Sequence, residues 1–423
     1  MKDVSKVVIV NAFERGNRGD AALLSVAVAQ VREAFPGAEV LIAGFEHPAV
    51  WAEFDGARNI GSIRRYVGDE EAGRLTRIAR KLAAAGLAGI AALPGGGRLV
   101  RRAARLLPAE MRAEVEAVTG ADLVLSLGGG YLNARADLPS DLNIAFLLLP
   151  LRLAQRAGVR TVLGPQSYGP FPRARQRRMV RRVVGAAATA SAREEISVTR
   201  LAEAGVTSPP VVRGVDSAFA FRSTSRRAWR AELGISEDRR LVLVTARRHL
   251  APAEQARYEA AMATAIRHLL GGGAAVVLVP QVTCAFQADD DRIVNARIAH
   301  LTGPREGLHV LDDAALDHHD VHALYGTADF ILGTRFHSVI FGLTAHVPCL
   351  AIEYDHKTRG IMEDLGLGEW VIRMSDVRDD VLTGPLDRLI EAGPAYRKHL
   401  DDTLPEYAER AGEFVTVLRE AAR

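Results

Sequence analysis

An arginine and a histidine two residues apart stand at the predicted start of a helix. Thr334, Arg335 and His337 follow the apolar segment 330–333, which predicts a buried strand. Thr334 suits the N-cap, which would place Arg335 and His337 in the first helical turn. That end of a helix carries partial positive charge, so two further cations there are unfavourable unless an anion binds. The pattern predicts a phosphate or carboxylate site, and the structural alternative pairs Arg335 with a nearby carboxylate.

A second arginine and an aspartate could take part in the same chemistry. Arg193 follows a predicted strand of small residues and precedes a predicted helix, and its structural alternative is an ion pair with Glu194 or Glu195. Asp20 starts the helix after GNRG, where helix capping alone would also explain an aspartate. His337 is the candidate for proton transfer, because imidazole titrates near neutral pH.

Further polar residues and glycines lie just after predicted strands or in adjoining loops. The cluster LGGGYLN lacks the spacing of a dinucleotide-binding motif, and the sequence contains no P-loop. His318 and His319 are adjacent, which is a poor spacing for metal ligands, so we expect no metal site and no cofactor. We expect the following residues to line a ligand cleft: Gly129, Gly130, Gln166, Ser167, Asp216, Glu353, Tyr354 and Lys357.

Short apolar segments alternate with amphipathic ones and must position these residues. KVVIVNAF precedes DAALLSVAVAQVREAF, for example, and LVLVTARR, AAVVLVPQ and ADFILGTR repeat the strand pattern. This alternation predicts βαβ units and parallel sheets, in which ligands bind at the carboxyl ends of the strands. We therefore predict an α/β protein with two Rossmann-like domains facing across a cleft. The predicted domains are residues 1–220 and 221–405, followed by a terminal helix over residues 406–423.

Composition excludes several classes of function. The chain has 423 residues, 48% hydrophobic and 25% charged, which indicates an ordinary globular protein of two domains. A net charge of +3 gives no reason to expect nucleic-acid binding. Two cysteines and the absence of a signal-peptide pattern predict a cytoplasmic protein. The sequence carries no readable signal for an oligomeric state.

Residues 63–118 interrupt the alternation with a segment rich in alanine, glycine and arginine. We interpret it as an inserted helical pair with a solvated basic face. A second interpretation is a peripheral surface for anionic lipid or a lipid-linked substrate, which would place the protein at the inner face of the membrane.

Six blocks in a fixed order resemble the polysaccharide pyruvyl transferases. They cover most of the chain from residue 11 to about residue 367, and the last is the most specific. The blocks are GNRGDAAL, LSLGGGYL, GPQSYGPF, SAREEISVTRLAEAGV, VDSAF and ADFILGTRFHSVIFGLTAHVPCLAIEYDHKTRGIMEDLGL.

The resemblance implies a GT-B-like fold and a defined reaction. Phosphoenolpyruvate would be the donor co-substrate, and a hydroxyl pair of a nucleotide-, lipid- or polymer-linked sugar would be the acceptor. The product would be a pyruvate ketal, with phosphate released. Residues 1–220 would then form the acceptor side and residues 221–405 the donor side.

The resemblance also assigns expected roles residue by residue. Arg193 and Arg335 match family residues associated with the donor, and we add Thr334 to them as expected donor-binding residues. His337 and Asp20 are the expected catalytic residues, with Asp20 facing the acceptor.

Two alternatives remain at this point. One is a GT-B glycosyltransferase that uses a nucleotide sugar, for which Glu353 is the acidic residue we nominate to hold the ribose. The other is a non-catalytic, glycan-binding member of the fold, which would bind an acidic ligand and turn nothing over.

Overall fold

The computed structural model describes residues 4–68, 73–92, 100, 102, 104–284 and 289–423. The chain divides into two compact units. Unit 1 contains Met1–Glu14, Leu23–Ser217 and Arg410–Arg423, and unit 2 contains Arg15–Ala22 and Ala218–Glu409. The division thus falls after Ser217, where the sequence placed it after residue 220. The GNRGD loop is counted with unit 2, although the sequence placed it in the N-terminal domain.

Unit 1 is built on a mostly parallel sheet. Its strand order is β3-β4-β2-β1-β5-β7-β8-β9, with β6 paired to β7 and only β3 and β4 antiparallel within the described residues. The strands are β1 Lys6–Ala12, β2 Glu39–Gly44, β3 Glu53–Phe54, β4 Ala57–Asn59, β5 Leu123–Ser126, β6 Gly129–Leu132, β7 Arg160–Tyr168, β8 Thr189–Ala192 and β9 Val211–Arg213. The chain leaves β1 in one direction and continues from β5 in the other, so a topological switch point lies between these two strands.

Helices cover the sheet of unit 1. They are α1 Arg18–Ala34, α2 Ile63–Gly68, α3 Arg74–Ala92, α4 Ala109–Gly120, α5 Leu138–Arg156, α6 Ala174–Val184 and α7 Glu195–Glu203. The central strands are buried on both faces, which explains why β1 reads as the nearly continuous apolar run VVIV. The described part of the predicted insert 63–118 forms α2, α3 and most of α4. The remainder of that insert consists of residues 69–72, 93–99, 101 and 103, which lie outside the described residues, and of short described stretches next to the helices.

Unit 2 is a parallel six-stranded sheet in the order β12-β11-β10-β13-β14-β15. Its strands are β10 Leu241–Thr245, β11 Ala275–Leu278, β12 Leu308–Val310, β13 Phe330–Gly333, β14 Cys349–Glu353 and β15 Val371–Arg373. Its helices are α8 Trp229–Glu232, α9 Pro252–Gly271, α10 Asp291–Thr302, α11 His318–Tyr325, α12 Phe336–Thr344, α13 His356–Asp364 and α14 Thr383–Gly412. The switch point of this sheet lies between β10 and β13, because the chain runs outward from β10 to β12 and then from β13 to β15.

The C-terminal helix is longer than the sequence predicted. The prediction began at residue 406, but α14 begins at Thr383 and continues through Pro394 and Pro405, and α15 Phe414–Ala421 follows it. A proline inside a helix removes one backbone hydrogen bond and usually breaks the helix. Here the buried apolar side chains of α14 outweigh that loss: Leu386, Leu389, Tyr396, Leu400 and Leu404.

Two further features matter below. Cys349 on β14 is buried, and Cys284, after β11, is partly buried. No helix in the described parts of the chain is long and apolar enough to cross a membrane.

Candidate active site

Four basic residues follow the two strands that border the switch point of unit 2. Arg247 and His249 follow β10, and Arg335 and His337 follow β13. Because β10 and β13 are neighbouring parallel strands, their carboxyl ends meet at one edge of the sheet. The arginine and histidine predicted after β13 therefore lie where open α/β sheets bind ligands.

Arg335 is buried and held by two carboxylates. Its Nε lies 2.9 and 3.1 Å from the two carboxylate oxygens of Asp291, and its Nη2 lies 2.6 Å from Asp291 Oδ1. Nη2 also lies 2.8 Å from Oδ1 and 2.8 Å from the carbonyl oxygen of Asp289. Among the described residues, Nη1 of Arg335 has no hydrogen-bond partner. The two aspartates thus fix the guanidinium and leave one nitrogen for a ligand.

Asp291 and Arg335 form a buried ion pair. Burial raises the pKa of Asp291, yet its carboxylate accepts the Arg335 hydrogen bonds and two more from the backbone N–H groups of Gln281 and Val282, at 3.1 and 2.9 Å. These contacts favour the ionised acid. Burial lowers the pKa of Arg335, but Asp291 and Asp289 together raise it above its ordinary value. The structural alternative considered for Arg335, a carboxylate partner, is therefore present in the structure.

The predicted N-cap of α12 is wrong by one residue. Arg335 has the extended backbone of an N-cap (φ −74°, ψ 132°), and His337 is the second residue of α12. Thr334 is fully buried and its hydroxyl shares a 2.8 Å hydrogen bond with Tyr258. Its N–H donates to Thr245 Oγ1 at 3.0 Å. Thr334 fixes the end of β13 because its side chain finds a partner on another element, and donor binding by Thr334 stays a prediction.

The loop at residues 16–20 packs within unit 2. Asn17, not Asp20, caps α1, since its Oδ1 accepts the N–H groups of Gly19 at 3.2 Å and Asp20 at 3.4 Å. Asp20 lies in the first turn, and its Oδ2 accepts a 2.7 Å hydrogen bond from Asn17 Nδ2. The capping explanation for Asp20 is thus incorrect, because the helix begins three residues earlier than its position requires.

Arg18 anchors this loop and was not singled out from the sequence. It is 1% exposed and donates to the carbonyl oxygen of Leu316 from Nε at 3.1 Å and from Nη2 at 2.8 Å. Its Nη1 donates to Gly16 O at 2.7 Å and to the hydroxyl of Thr283. Burial lowers the pKa of Arg18 to about 10, which leaves the residue charged at neutral pH.

Gly19 allows the loop to approach His337 closely. A Cβ built on Gly19 would lie 2.0 Å from Nδ1 of His337. Gly16 plays a similar part, since a Cβ there would lie 1.9 Å from the carbonyl oxygen of Thr283. The glycines of GNRGD are therefore required for contact, and the Gly-Asp and Arg-x-His motifs, far apart in sequence, meet in unit 2.

Arg247 and Tyr354 pack together at the same edge of the sheet. The Arg247 guanidinium lies 4.2 Å from the Tyr354 ring centre, and its Nη2 lies 3.3 Å from Asp289 Oδ1. The Nε of Arg247 is buried without a hydrogen-bond partner among the described residues. The ring centres of His249 and Tyr354 are 5.1 Å apart. Burial lowers the pKa of His249, and the nearby charge of Arg247 lowers it further. Arg247 and His249 were not singled out from the sequence. They follow a predicted strand directly, which is the same signal that identified Arg335 and His337.

Two further predicted residues of this region already have partners. Lys357 Nζ lies 3.1 Å from Asp355. Glu353 is bound to Arg359, whose Nε lies 3.0 Å from both carboxylate oxygens, and Arg373 Nε lies 3.5 Å away. Glu353, the acid predicted to hold a ribose in a nucleotide-sugar enzyme, is thus paired with arginines instead.

The remaining predicted residues cluster in unit 1, at the carboxyl ends of β7 and β8. Arg193 is 2% exposed; its Nε lies 2.9 Å from Ser167 Oγ and 3.3 Å from Glu194, and its Nη1 binds Asp216. Gln166 pairs with Gly129 across β6 and β7. The structure therefore joins Ser167, Arg193 and Asp216, and it gives Arg193 the ion pair with Glu194 that the sequence offered as its alternative.

The switch point of unit 1 holds a second group of polar residues. Asn11 has a positive φ of 61°, and its Nδ2 donates to Ser126 Oγ and to Leu147 O, both at 3.1 Å. The hydroxyl of Tyr131 lies 2.8 Å from Ser126 Oγ. These hydrogen bonds hold Asn11 in the left-handed backbone conformation, which few residues other than glycine and asparagine adopt readily.

An arginine stands among aromatic rings at the same place. The Arg64 guanidinium lies 4.7 Å from the ring centre of Phe13 and 5.2 Å from that of Phe45. Tyr131 packs on Phe13 with ring centres 5.3 Å apart. Burial lowers the pKa of Arg64, and within the described residues its guanidinium has no hydrogen-bond acceptor and no ion pair. Such a cation is suited to an anionic or hydroxyl-rich ligand.

Several solved structures share this fold of two Rossmann-like α/β units. The UDP-N-acetylglucosamine 2-epimerase assigned in Listeria monocytogenes superimposes with a TM-score of 0.59 at 15% identity, over 99% of this chain and 96% of that chain. HepE of Anabaena, solved with UDP-glucose, gives a TM-score of 0.56 at 14% identity over 99% and 98%. These similarities concern the fold.

Sequence similarity gives the family. Residues 17–356 match the profile of the polysaccharide pyruvyl transferases, and the chain belongs to that family. The amylovoran biosynthesis protein AmsJ of Erwinia amylovora is 26% identical over 284 residues, covering 64% of this chain. The match spans 66% of AmsJ. The recognition from the six blocks is confirmed.

Proposed function

We propose that this protein transfers a pyruvyl group from phosphoenolpyruvate to two hydroxyls of a sugar, forming a ketal and releasing phosphate. The observation that carries the proposal is the arrangement after β10 and β13. There, Asp289 holds Arg247 and Arg335 through one carboxylate, while both arginines keep nitrogens without partners, and His337 follows Arg335 by two residues.

The donor fits this arrangement chemically. Phosphoenolpyruvate carries a phosphate and a carboxylate on a three-carbon frame, and two arginines can hold both groups. Each charge-assisted hydrogen bond is worth about 1.5–3 kcal/mol. The N–H groups at the start of α12 add favourable interactions for an anion. Arg335 would use Nη1, and Arg247 would use Nε and Nη1.

The reaction balances without a further reactant. A proton adds to the methylene carbon, one sugar hydroxyl attacks the central carbon, and the bond from that carbon to the phosphate oxygen breaks. The second hydroxyl then closes the ketal. Of the two hydroxyl protons, one ends in the new methyl group and the other leaves with phosphate. His337 is the proposed proton carrier, since it lies in the first turn of α12, two residues after Arg335, and imidazole commonly carries protons in enzymes.

We place the acceptor sugar at the switch point of unit 1. Phe13 and Tyr131 offer aromatic faces to the apolar side of a sugar ring. Arg64 offers hydrogen-bond donors to its oxygens. Asp20, next to Gly19 in the loop that contacts His337, remains a proposed catalytic residue.

A thermal-shift experiment with phosphoenolpyruvate tests the donor. Ligand that binds the native state raises its stability by about 2.7 kcal/mol at a concentration of one hundred times Kd. We expect a higher Tm with phosphoenolpyruvate than with inorganic phosphate or UDP-sugars, and we expect Arg335→Met to lose the difference. Phosphate release is then measured with nucleotide-, lipid- and polymer-linked hexoses as acceptors.

Variants of histidine separate the outcomes. His337→Gln should abolish phosphate release and keep the fold, whereas His268→Gln, at a half-exposed histidine paired with Asp387, should behave as wild type. A shift with UDP-sugars alone would replace the proposal by glycosyl transfer. Donor binding without turnover for any acceptor would indicate a non-catalytic glycan-binding member.

A further inference from the structure

The outward face of α3 is apolar. Leu75, Ile78 and Leu82 are 82%, 46% and 68% exposed. Their spacing of three and seven residues places them on one stripe of the helix. The opposite stripe contains Ala84 and Leu87, which are buried in the core of unit 1. The helix is therefore attached by one face and presents large apolar side chains on the other.

Cations lie along one side of this stripe. Arg74, Arg77 and Lys81 lie beside it on the helix, and within the described residues no carboxylate pairs with any of the three. Arg80 differs, because its Nη1 donates to the carbonyl oxygen of Tyr66 at 3.1 Å and its guanidinium covers the Tyr66 ring at 4.0 Å. The sequence from residue 73 to residue 108 contains eight basic residues and no acidic one, so the charge along this stretch is uncompensated.

The same combination occurs again before α4. Leu106 is 89% exposed, and Arg102 and Arg105 are exposed nearby in the chain. Exposed leucines are ordinary when single, but four large apolar residues among unpaired cations in one segment are not. The described parts of this segment thus share one surface chemistry.

We infer that this surface, which we call the α3 face, docks on a bilayer containing anionic lipids. The three apolar side chains of α3 enter the boundary between headgroups and acyl chains, while Arg74, Arg77 and Lys81 bind lipid phosphates. A second copy of the chain fits this face poorly. A symmetric contact would bring the cations of one copy against those of the other.

The inference does not depend on the proposed reaction, because docking is measured without substrate. The full-length protein is floated with vesicles of phosphatidylcholine and with vesicles that also contain about 30% phosphatidylglycerol. We expect flotation with the anionic vesicles only. The bound fraction should fall steeply between about 0.05 and 0.5 M salt, because salt screens the cations.

Two variants and a matched control identify the surface. Leu75→Ser with Leu82→Ser, and separately Arg77→Glu with Lys81→Glu, should each weaken binding to anionic vesicles on the order of tenfold or more. Val50→Ser with Leu142→Ser removes apolar side chains that are 70% and 50% exposed elsewhere in unit 1, and it should leave binding unchanged. All variants should keep the wild-type circular dichroism spectrum.

Three results would overturn the inference. The first is the absence of flotation with anionic vesicles at low salt. The second is equal loss of binding in the control and the α3 variants. The third is a change of oligomeric state in the leucine variant, measured by light scattering, without any change in vesicle binding, which would assign the face to self-association.

Discussion

Asp291 accepts hydrogen bonds from two nitrogens of Arg335. Nη2 of Arg335 lies 2.6 Å and Nε lies 2.9 Å from Oδ1 of Asp291, and both side chains are buried. The pair fixes the direction of the guanidinium, so only Nη1 remains for a ligand. Asp291 thus acts on the proposed donor site through Arg335 without facing the ligand itself.

Asp291→Asn should destabilise the protein, because it leaves the charge of Arg335 with a weaker partner. Breaking a buried ion pair typically costs about 3–5 kcal/mol. Urea unfolding followed by fluorescence measures the loss. Glu306→Gln is the control, since Glu306 is 94% exposed and lies 3.6 Å from Arg239. Equal midpoints for the two variants would show that the pair contributes nothing.

Gly19→Ala should reduce turnover by about a hundredfold, the effect of misplacing a reacting group by about 1 Å. The new Cβ would overlap the imidazole of His337 and force it aside. Phosphate release gives the rate, and the Tm shows whether the fold persists. Gly384→Ala supplies the comparison, because no atom lies within 4 Å of the Cβ position there. A fully active Gly19→Ala protein would separate the Gly-Asp loop from the chemistry.

Arg247→Met should weaken phosphoenolpyruvate binding by about ten- to a hundredfold, the range of one charge-assisted hydrogen bond. Methionine keeps an apolar stem against Tyr354 and removes only the donors. Titration calorimetry measures Kd directly. Arg257→Met changes an exposed arginine on α9 of the same unit and should have no effect. If both variants bind equally well, the donor does not use Arg247.

Arg64→Met should raise the KM for the acceptor by about tenfold and leave phosphoenolpyruvate affinity unchanged, since Arg64 stands at the proposed acceptor site in unit 1. Steady-state kinetics at saturating donor distinguish the two parameters. Arg58→Met is matched to it, because Arg58 lies on β4 of the same unit but binds Glu39 at the surface. A larger effect on the donor than on the acceptor would contradict this assignment.

The stability of the folded protein should depend on pH through the ionisation of Glu114. Burial raises the pKa of Glu114 to about 7 from an ordinary value of 4.5, and a hydrogen bond from the Ile63 N–H at 2.6 Å only partly offsets this. The folded protein therefore holds this proton more tightly than the unfolded chain. Stability should fall as the pH rises from about 4.5 to 7 and level off above, by about 1.4 kcal/mol per pKa unit.

Glu114→Gln should remove that fall, so the variant gains stability relative to wild type at pH 8 but not at pH 4. Urea unfolding at both pH values provides the measurement. Glu116→Gln changes an exposed glutamate two residues away and should follow wild type. A wild-type profile for Glu114→Gln would mean that Glu114 is ionised in the fold at neutral pH.

Local pattern predicted the parallel α/β architecture and the place of Arg335 and His337. Both depend on neighbours within one strand–helix turn, which a sequence shows directly. Family membership was likewise readable, because six blocks keep their order along the chain.

Non-local partners were not readable. Asp291 lies 44 residues before Arg335, and no spacing rule joins the two. The helix start also depended on such a partner, since Tyr258 takes the Thr334 hydroxyl that would otherwise cap α12. Arg18 binds backbone carbonyl groups almost three hundred residues away, and carbonyl groups leave no mark on the sequence.

The two cysteines differ in a way that gives the wild-type protein a built-in labelling position. Cys349 is buried in unit 2, and burial raises the pKa of its thiol well above its usual range. Alkylating dyes should therefore not label it. Cys284 is partly exposed and adjoins Thr283, the residue that receives Arg18. An environment-sensitive dye on Cys284 would therefore test for binding at the proposed donor site from beside the GNRGD loop, in a chain with no engineered residue.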